Sequence, residues 1–254
     1  MLRNQQKDCH VRATTISRSP LSRIFRFRYS LHLLIYVAAF AITWAAPARI
    51  GVQRVWLALP GLLSAKFRID LQAAIVSVTV LAVVLAFGAA ALRTWAAAYL
   101  GSKTVLDPTL RGDKIVSDGP FRYLRNPLYL GTIFHTLALS VLMSWAGAFF
   151  CFVAIVGLQL TLMRSEEQFF LQSGSRNYAD YAKRVPRVIP RLTGAAGPSR
   201  NQAQWPQAFA GEIYMWGTAV SFAAFGFSYN PILVIQGVLV SFGLSIVIRA
   251  LWKG

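Results

Sequence analysis

"NPLYLGTIFHTLALSVLMSWAGAFFCFVAIVGLQLTLM", residues 126 to 163, holds no Asp, Glu, Lys or Arg along its whole length. An apolar helix rising 1.5 Å per residue needs roughly 20 residues to cross a bilayer, so a run this long predicts two crossings. A bilayer requires backbone groups to be paired within helices and confines breaks to interfaces or protein-lined cavities, which puts the turn at Ser144-Trp145-Ala146-Gly147. The stretch reads as a transmembrane helical hairpin.

Three other stretches are equally free of charge: 29 to 48, 71 to 92 and 213 to 248. The first two suit one crossing each; the last suits two, turning at Ser228-Tyr229-Asn230-Pro231. The composition agrees, with 56% hydrophobic and 14% charged residues in a chain of 254 and a mean hydropathy of +0.49. The expected fold class is therefore all-α, a polytopic helical membrane protein with about six transmembrane helices. Between the first two crossings, 49 to 70 has an apolar core only from Val55 to Ala65, flanked by Arg54 and Lys66 and interrupted by Pro60-Gly61. It reads as an interfacial or re-entrant helix.

A net charge of +17 invites a nucleic-acid reading, but its placement excludes one. Seven basic residues lie in the tail up to Arg28, six in 93 to 125 and seven in 164 to 200, all flanking apolar runs. The positive-inside rule puts those three segments on the cytoplasmic side, and six crossings satisfy all three with both termini cytoplasmic. Some of this charge suits anionic lipid headgroups. Cys9 and Cys151 suggest no disulfide framework, and His10, His32 and His135 lack metal-ligand spacing. The basic start followed by an apolar run reads as an uncleaved signal anchor. The expected organisation is a basic tail 1–29, N-terminal membrane helices 30–92, a core 93–192, a linker 193–207 and a C-terminal transmembrane hairpin 208–254.

The residues able to carry chemistry gather at the two cytoplasmic ends of the central hairpin. Asn126-Pro127 has the form of a helix start, with the asparagine amide oxygen capping a free N–H and proline at the first helical position. Such an end offers unpaired N–H groups and partial positive charge to an anionic or carbonyl oxygen. Arg164-Ser165-Glu166-Glu167 closes the second helix and brings two carboxylates to the same level. Each feature also has a plain structural reading: a cap, arginines at headgroups, a solvated turn, and Tyr123 and Tyr129 as interfacial anchors. Gln159 and His135, one on each helix of the hairpin, suit an interhelical hydrogen bond. Beyond them, 164 to 192 mixes charge with Phe169, Phe170, Tyr178, Tyr181 and Val185, a pattern for a surface helix with its aromatics turned to lipid.

Taken in order, Gly119, Phe121, Arg125-Asn126-Pro127-Leu128-Tyr129-Leu130-Gly131, Glu166-Glu167, Tyr178, Tyr181 and Val185-Pro186 resemble the isoprenylcysteine carboxyl methyltransferases and related phospholipid methyltransferases of membranes. The resemblance runs from about 90 to 190 with order and spacing kept. It implies methyl transfer from S-adenosylmethionine, bound on the cytosolic side, to a lipophilic or prenylated small molecule entering from the bilayer. It implies cofactor contacts at Lys114, Ile115, Val116, Phe121, Asn126, Pro127, Leu128, Tyr129 and Glu166. Arg164, with Arg125, is then the candidate for holding the acceptor, and Glu167 is a candidate catalytic carboxylate.

Three departures from that pattern bear on chemistry. Asn126 stands where the family has histidine, so position 126 cannot supply a titrating base. Phe121 replaces a tyrosine and keeps only the ring. The family's Phe-Gly is replaced by Ser173-Gly174-Ser175. A carboxylate acceptor needs no base and is the favoured expectation; N-methylation of a phospholipid or small amine, with Glu166, Glu167 or Tyr129 as base, is the alternative. A non-catalytic membrane protein retaining the hairpin is a further reading, and a nicotinamide-dependent reductase is disfavoured by the lack of a Gly-rich loop after a strand. Oligomeric state is left open.

Overall fold

A computed structural model of the chain describes residues 24–45, 54–101, 116–172, 176–194 and 202–251. Nearly all of the expected basic tail, Lys114, Ile115 and Ser173 to Ser175 lie outside the described residues. Among the described residues the regular structure is helical: α1 Arg28–Ala45, α2 Val55–Phe67, α3 Leu71–Leu100, a 3-10 turn Gly119–Arg122, α4 Pro127–Ser140, α5 Trp145–Gln172, α6 Arg176–Arg184, α7 Trp205–Gly211, α8 Ile213–Ser228 and α9 Pro231–Leu251.

Two of these, α3 and residues Trp145–Leu171 of α5, are long and apolar enough to cross a bilayer. With 14 residues in α4 and 16 in α8, both fall short of the roughly 20 that a full crossing needs. The helix count along the sequence agrees with the charge-free stretches, whereas full crossing length is met by fewer helices than the six expected. The expected turns fall close to their places. α4 gives way to α5 over residues 141–144. α8 ends where Tyr229 takes the left-handed conformation at φ 49°, and Pro231 opens α9.

α3 is the central helix, and its inner face is almost all alanine: Ala74, Ala82, Ala86, Ala89, Ala90, Ala96, Ala97 and Ala98 are buried. Small side chains let neighbouring backbones approach closely, which is how helices associate where lipid offers no hydrophobic driving force. α4, α8, α2 and α7 all pack on it. Ala82 and Ala86 join Ala138, Leu139, Leu142, Met143, Phe222 and Phe225 in the main apolar core.

α2 runs through Pro60 instead of breaking there, since one proline removes a single backbone donor from an otherwise apolar helix. Its 13 residues extend about 20 Å, short of the roughly 20 residues that a full crossing needs. Two free N–H groups at its start are satisfied by the α4–α5 turn: Val55 N–H donates to the Met143 carbonyl and Trp56 N–H to that of Val141, both at 2.9 Å. In the C-terminal hairpin, α8 and α9 interlock through small residues. A Cβ on Gly217 would overlap the Ser241 side chain, and one on Gly237 would overlap that of Ser221.

Tyr178 and Tyr181 do not face outward as expected. Tyr178, Tyr181 and Val185 are buried and cluster with Phe170. They turn inward because the segment after α5 folds back over the loop before α4. Tyr181 Oη donates to the Phe121 carbonyl at 2.8 Å. Arg125 N–H donates to Pro186 O at 2.9 Å, and Arg191 N–H to Tyr123 O at 3.1 Å.

Candidate functional site

The loop before α4 is shaped by side chains of α3. Gly119 has a φ of 58°, and any Cβ there would run into the ring of Tyr99. Gly131, one turn into α4, likewise leaves room for the aliphatic stem of Arg93. The two glycines at the ends of the motif are thus the points where α3 side chains cross the backbone.

Pro127 occupies the first position of α4 as expected, but Asn126 does not cap it with its side chain. Its Nδ2 instead donates to the Arg187 carbonyl at 3.1 Å and approaches Glu167 Oε1 at 3.5 Å. The physical reason is the fold-back segment: the Arg125 bond to Pro186 brings the next carbonyl alongside the amide, which offers a stronger partner than the helix end. Asn126 is buried and fastens α4 to the cover formed by 178 to 191.

α5 continues past the glutamate pair to Gln172, so both carboxylates lie within the helix and not at its end. Consecutive residues point about 100° apart around a helix, and the pair divides accordingly. Glu166 Oε1 accepts from Tyr129 Oη at 2.6 Å. Glu167 is held by Arg187 at 2.6 and 3.1 Å and by Arg125 at 3.4 Å. The bond to Glu167 raises the Arg187 pKa above its ordinary value. Burial, followed by the charge of Glu167, pushes the neighbouring Tyr178 phenol up to about 12, and burial raises Tyr181 as well.

These groups close one end of a cavity of about 910 Å³. Val116, Phe121, Arg125, Asn126, Pro127, Leu128, Tyr129, Glu166 and Glu167 all line it. Along α4 the lining continues from Pro127 to Leu139, roughly 18 Å at 1.5 Å per residue, and ends near Trp44 and Val234. The Arg125 Nε is buried without a partner. That end can therefore take an anionic or carbonyl group on Arg125, a donor on Glu166 and a flat ring beside Phe121.

Arg164 is absent from this assembly. It is exposed, because two residues before Glu166 is about 200° around the helix and puts it on the opposite side of α5. Gln159 and His135 are not bonded to each other either. Gln159 Nε2 lies 2.8 Å from His32 Nε2, and His135 Nε2 lies 3.3 Å from Tyr214 Oη, because each faces a helix outside the hairpin.

Sequence reading did not single out Arg93, Tyr99, Arg187, Glu212 or Tyr214. Arg93 donates to Glu212 at 2.7 and 2.9 Å, to Thr132 Oγ1 at 2.9 Å and to the Leu128 carbonyl at 3.2 Å, so it holds the first turns of α4. A signal was present: Arg93 ends one charge-free run and Glu212 directly precedes another.

The site is thus a polar cluster at one end of a long, mostly apolar cavity, in a helical bundle with two helices long and apolar enough to cross a bilayer. Residues 77–176 match the family model described as phospholipid methyltransferase, the family of integral-membrane methyltransferases to which the motif pointed. The matched segment includes Arg93, Phe121, Arg125, Asn126, Tyr129, Glu166 and Glu167, and leaves out Tyr178, Tyr181, Arg187, Glu212 and Tyr214. The cobalt-zinc-cadmium resistance protein CzcN of Cupriavidus metallidurans is 29% identical over 112 residues, a match covering 42% of this chain and 46% of that protein. The match thus spans about half of that relative's length. No group of three or more His, Cys, Asp or Glu suited to a metal ion occurs among the described residues. No solved structure matches the chain.

Proposed function

We propose that this protein is an integral-membrane methyltransferase that takes its methyl group from S-adenosylmethionine and passes it to a lipophilic acceptor. The observation that carries the reading is the joining of a zwitterion-sized polar cluster (Arg125, Tyr129, Glu166 and the Phe121 ring) to a long apolar cavity of about 910 Å³. The residues fit the cofactor. The unpartnered Arg125 Nε suits a carboxylate, Glu166 suits hydroxyl or ammonium donors, and Phe121 offers a ring face to a purine. When bound, S-adenosylmethionine supplies a methyl already activated on a sulfonium.

The chain's own residues then have mainly to align the partners and exclude water. Tyr129 fixes the orientation of the Glu166 carboxylate by donating to Oε1, leaving Oε2 toward a substrate proton or donor. Arg187 and Arg125 keep Glu167 as a charged strut that joins α5 to the loop. The fold-back segment covers the aqueous side, and the apolar wall admits the acceptor's tail. Following the charge distribution, the site lies on the cytosolic side of the bilayer.

For the acceptor, a carboxylate remains compatible with Arg125, but its expected second arginine, Arg164, is exposed on the far side of α5. That position favours the second reading, an amine drawn to Glu166, whose Oε1 is hydrogen-bonded to a tyrosine and not to an arginine. Calorimetric titration of S-adenosylmethionine into wild type and Glu166→Ala tests the cofactor: binding by wild type alone is expected, and no binding by wild type overturns the enzyme reading. Labelled methyl released by base as methanol identifies a carboxyl ester, whereas label retained in extracted lipid identifies an amine.

A further inference from the structure

We propose that the middle of the cavity is a recognition site for a neutral hydrogen-bond donor, an O–H or N–H, on the acceptor, and that Gln159 Oε1 receives it. This deepens the reading above and rests on it only for the presence of a lipophilic acceptor.

Gln159 lines the cavity from α5, seven residues before Glu166 and therefore on the same face, about 10 Å deeper. A glutamine at that depth of an apolar helix must find its hydrogen-bond partners on another helix or on a ligand. Its neighbour fixes how the amide points. His32 Nδ1 lies 2.5 Å from the Arg28 carbonyl, which can only accept, so in the neutral ring Nδ1 carries the proton and Nε2 is the acceptor. Gln159 Nε2, at 2.8 Å from that nitrogen, is the donor, and an amide turned the other way would set Oε1 against a lone pair. Gln159 is fully buried, yet its Oε1 has no partner. A buried acceptor left so costs stability, and a ligand donor offsets that cost.

The surrounding groups make the site selective for a neutral donor. Thr136 Oγ1 gives its proton to the Thr132 carbonyl at 2.9 Å, so Tyr36 Oη must donate to Thr136 at 2.7 Å and its proton is committed. His135 and Tyr214 are joined at 3.3 Å. The Glu212 carboxylate is already taken by Arg93, so a cation meets no free counter-charge there. Among cavity-lining residues with a buried, unpartnered side-chain atom, Arg125 offers a donor at the end and Gln159 an acceptor halfway along.

The test uses the full chain in maltoside micelles, with thermal-shift titrations of dodecanol, its methyl ether and dodecanamide. Wild type is expected to bind dodecanol or the amide about tenfold more tightly than the ether, which lacks a donor; comparison of the first two distinguishes O–H from N–H. Gln159→Leu is expected to erase the preference, and partition into the micelle cancels because the same ligand ratio is compared between variants. Equal affinities in wild type, or a preference that survives in Gln159→Leu, overturns the proposal. If that variant does not fold, Gln159→Met takes its place and the same ratio is compared between it and wild type. S-adenosylmethionine binding measured on the same samples separates a failure of the methyltransferase reading from a failure of this one.

Discussion

Glu212 meets Arg93 through both carboxylate oxygens, at 2.7 and 2.9 Å, although the two residues flank different apolar runs and stand 119 positions apart. The pair is largely buried, with side-chain exposures of 15% for Arg93 and 5% for Glu212. It ties the C-terminal hairpin to the first turns of α4.

Removing one partner leaves a buried charge uncompensated. Glu212→Ala is expected to lose about 3–5 kcal/mol of stability. The double variant Arg93→Met, Glu212→Leu should recover most of that loss, because the penalty belongs to the unpaired ion more than to the missing attraction. Unfolding transitions in detergent check both, and a double variant no better than the single one would count against the pairing.

The bond from Tyr129 to Glu166, at 2.6 Å, is charge-assisted when the carboxylate is ionised. Tyr129→Phe keeps the ring and removes the donor. Affinity for S-adenosylmethionine is expected to fall about tenfold, with a deeper loss in Glu166→Ala. In a double-mutant cycle the two changes should be non-additive, since they act on one contact.

Arg187 and Arg125 both reach Glu167 but differ in exposure, at 41% and 14% of the side chain. Arg187→Ala is expected to cost about 1 kcal/mol or less, with an effect that shrinks as salt is added. Arg125→Ala should cost more, be less sensitive to salt and also weaken cofactor binding. Thermal unfolding at low and high ionic strength distinguishes them.

Glycine substitutions offer a geometric check. Gly131→Ala drives a methyl into Arg93 and is expected to destabilise by about 1–3 kcal/mol. A Cβ added at Gly157 would meet nothing within 4 Å, so Gly157→Ala should be neutral or stabilise by about 0.5–1 kcal/mol. Midpoints of unfolding for the two variants should therefore move in different directions or by clearly different amounts.

The helices were legible in the sequence because absence of charge is a local property. The runs at 126 to 163 and 213 to 248 each become two helices with turns near the expected residues. The Asn126-to-Gly131 and Glu166-Glu167 motifs do meet, because a hairpin must bring its two open ends to one level. What local pattern cannot supply is azimuth. Arg164 lies in the right place along α5 but on the wrong side, and Tyr178 and Tyr181 turn inward because of a fold-back whose partners lie 60 residues earlier for Tyr181 and Phe121. Gln159 and His135 likewise chose partners on other helices. Such long-range choices depend on packing, which periodicity does not encode.

The Gly217–Ser241 and Gly237–Ser221 contacts have a consequence for how the cavity wall is built. Within each helix the two small residues stand four positions apart, and glycine on one helix always faces serine on the other. Sliding α9 by one turn in one direction would oppose glycine to glycine and leave a gap; in the other it would oppose serine to serine and force the backbones apart. The two helices can therefore dock at one depth only. That alignment works as a vernier, holding Val238 and Phe242 on α9 at a set height against Glu212 and Tyr214, so that the shape of the cavity wall is set by four small residues that do not line it.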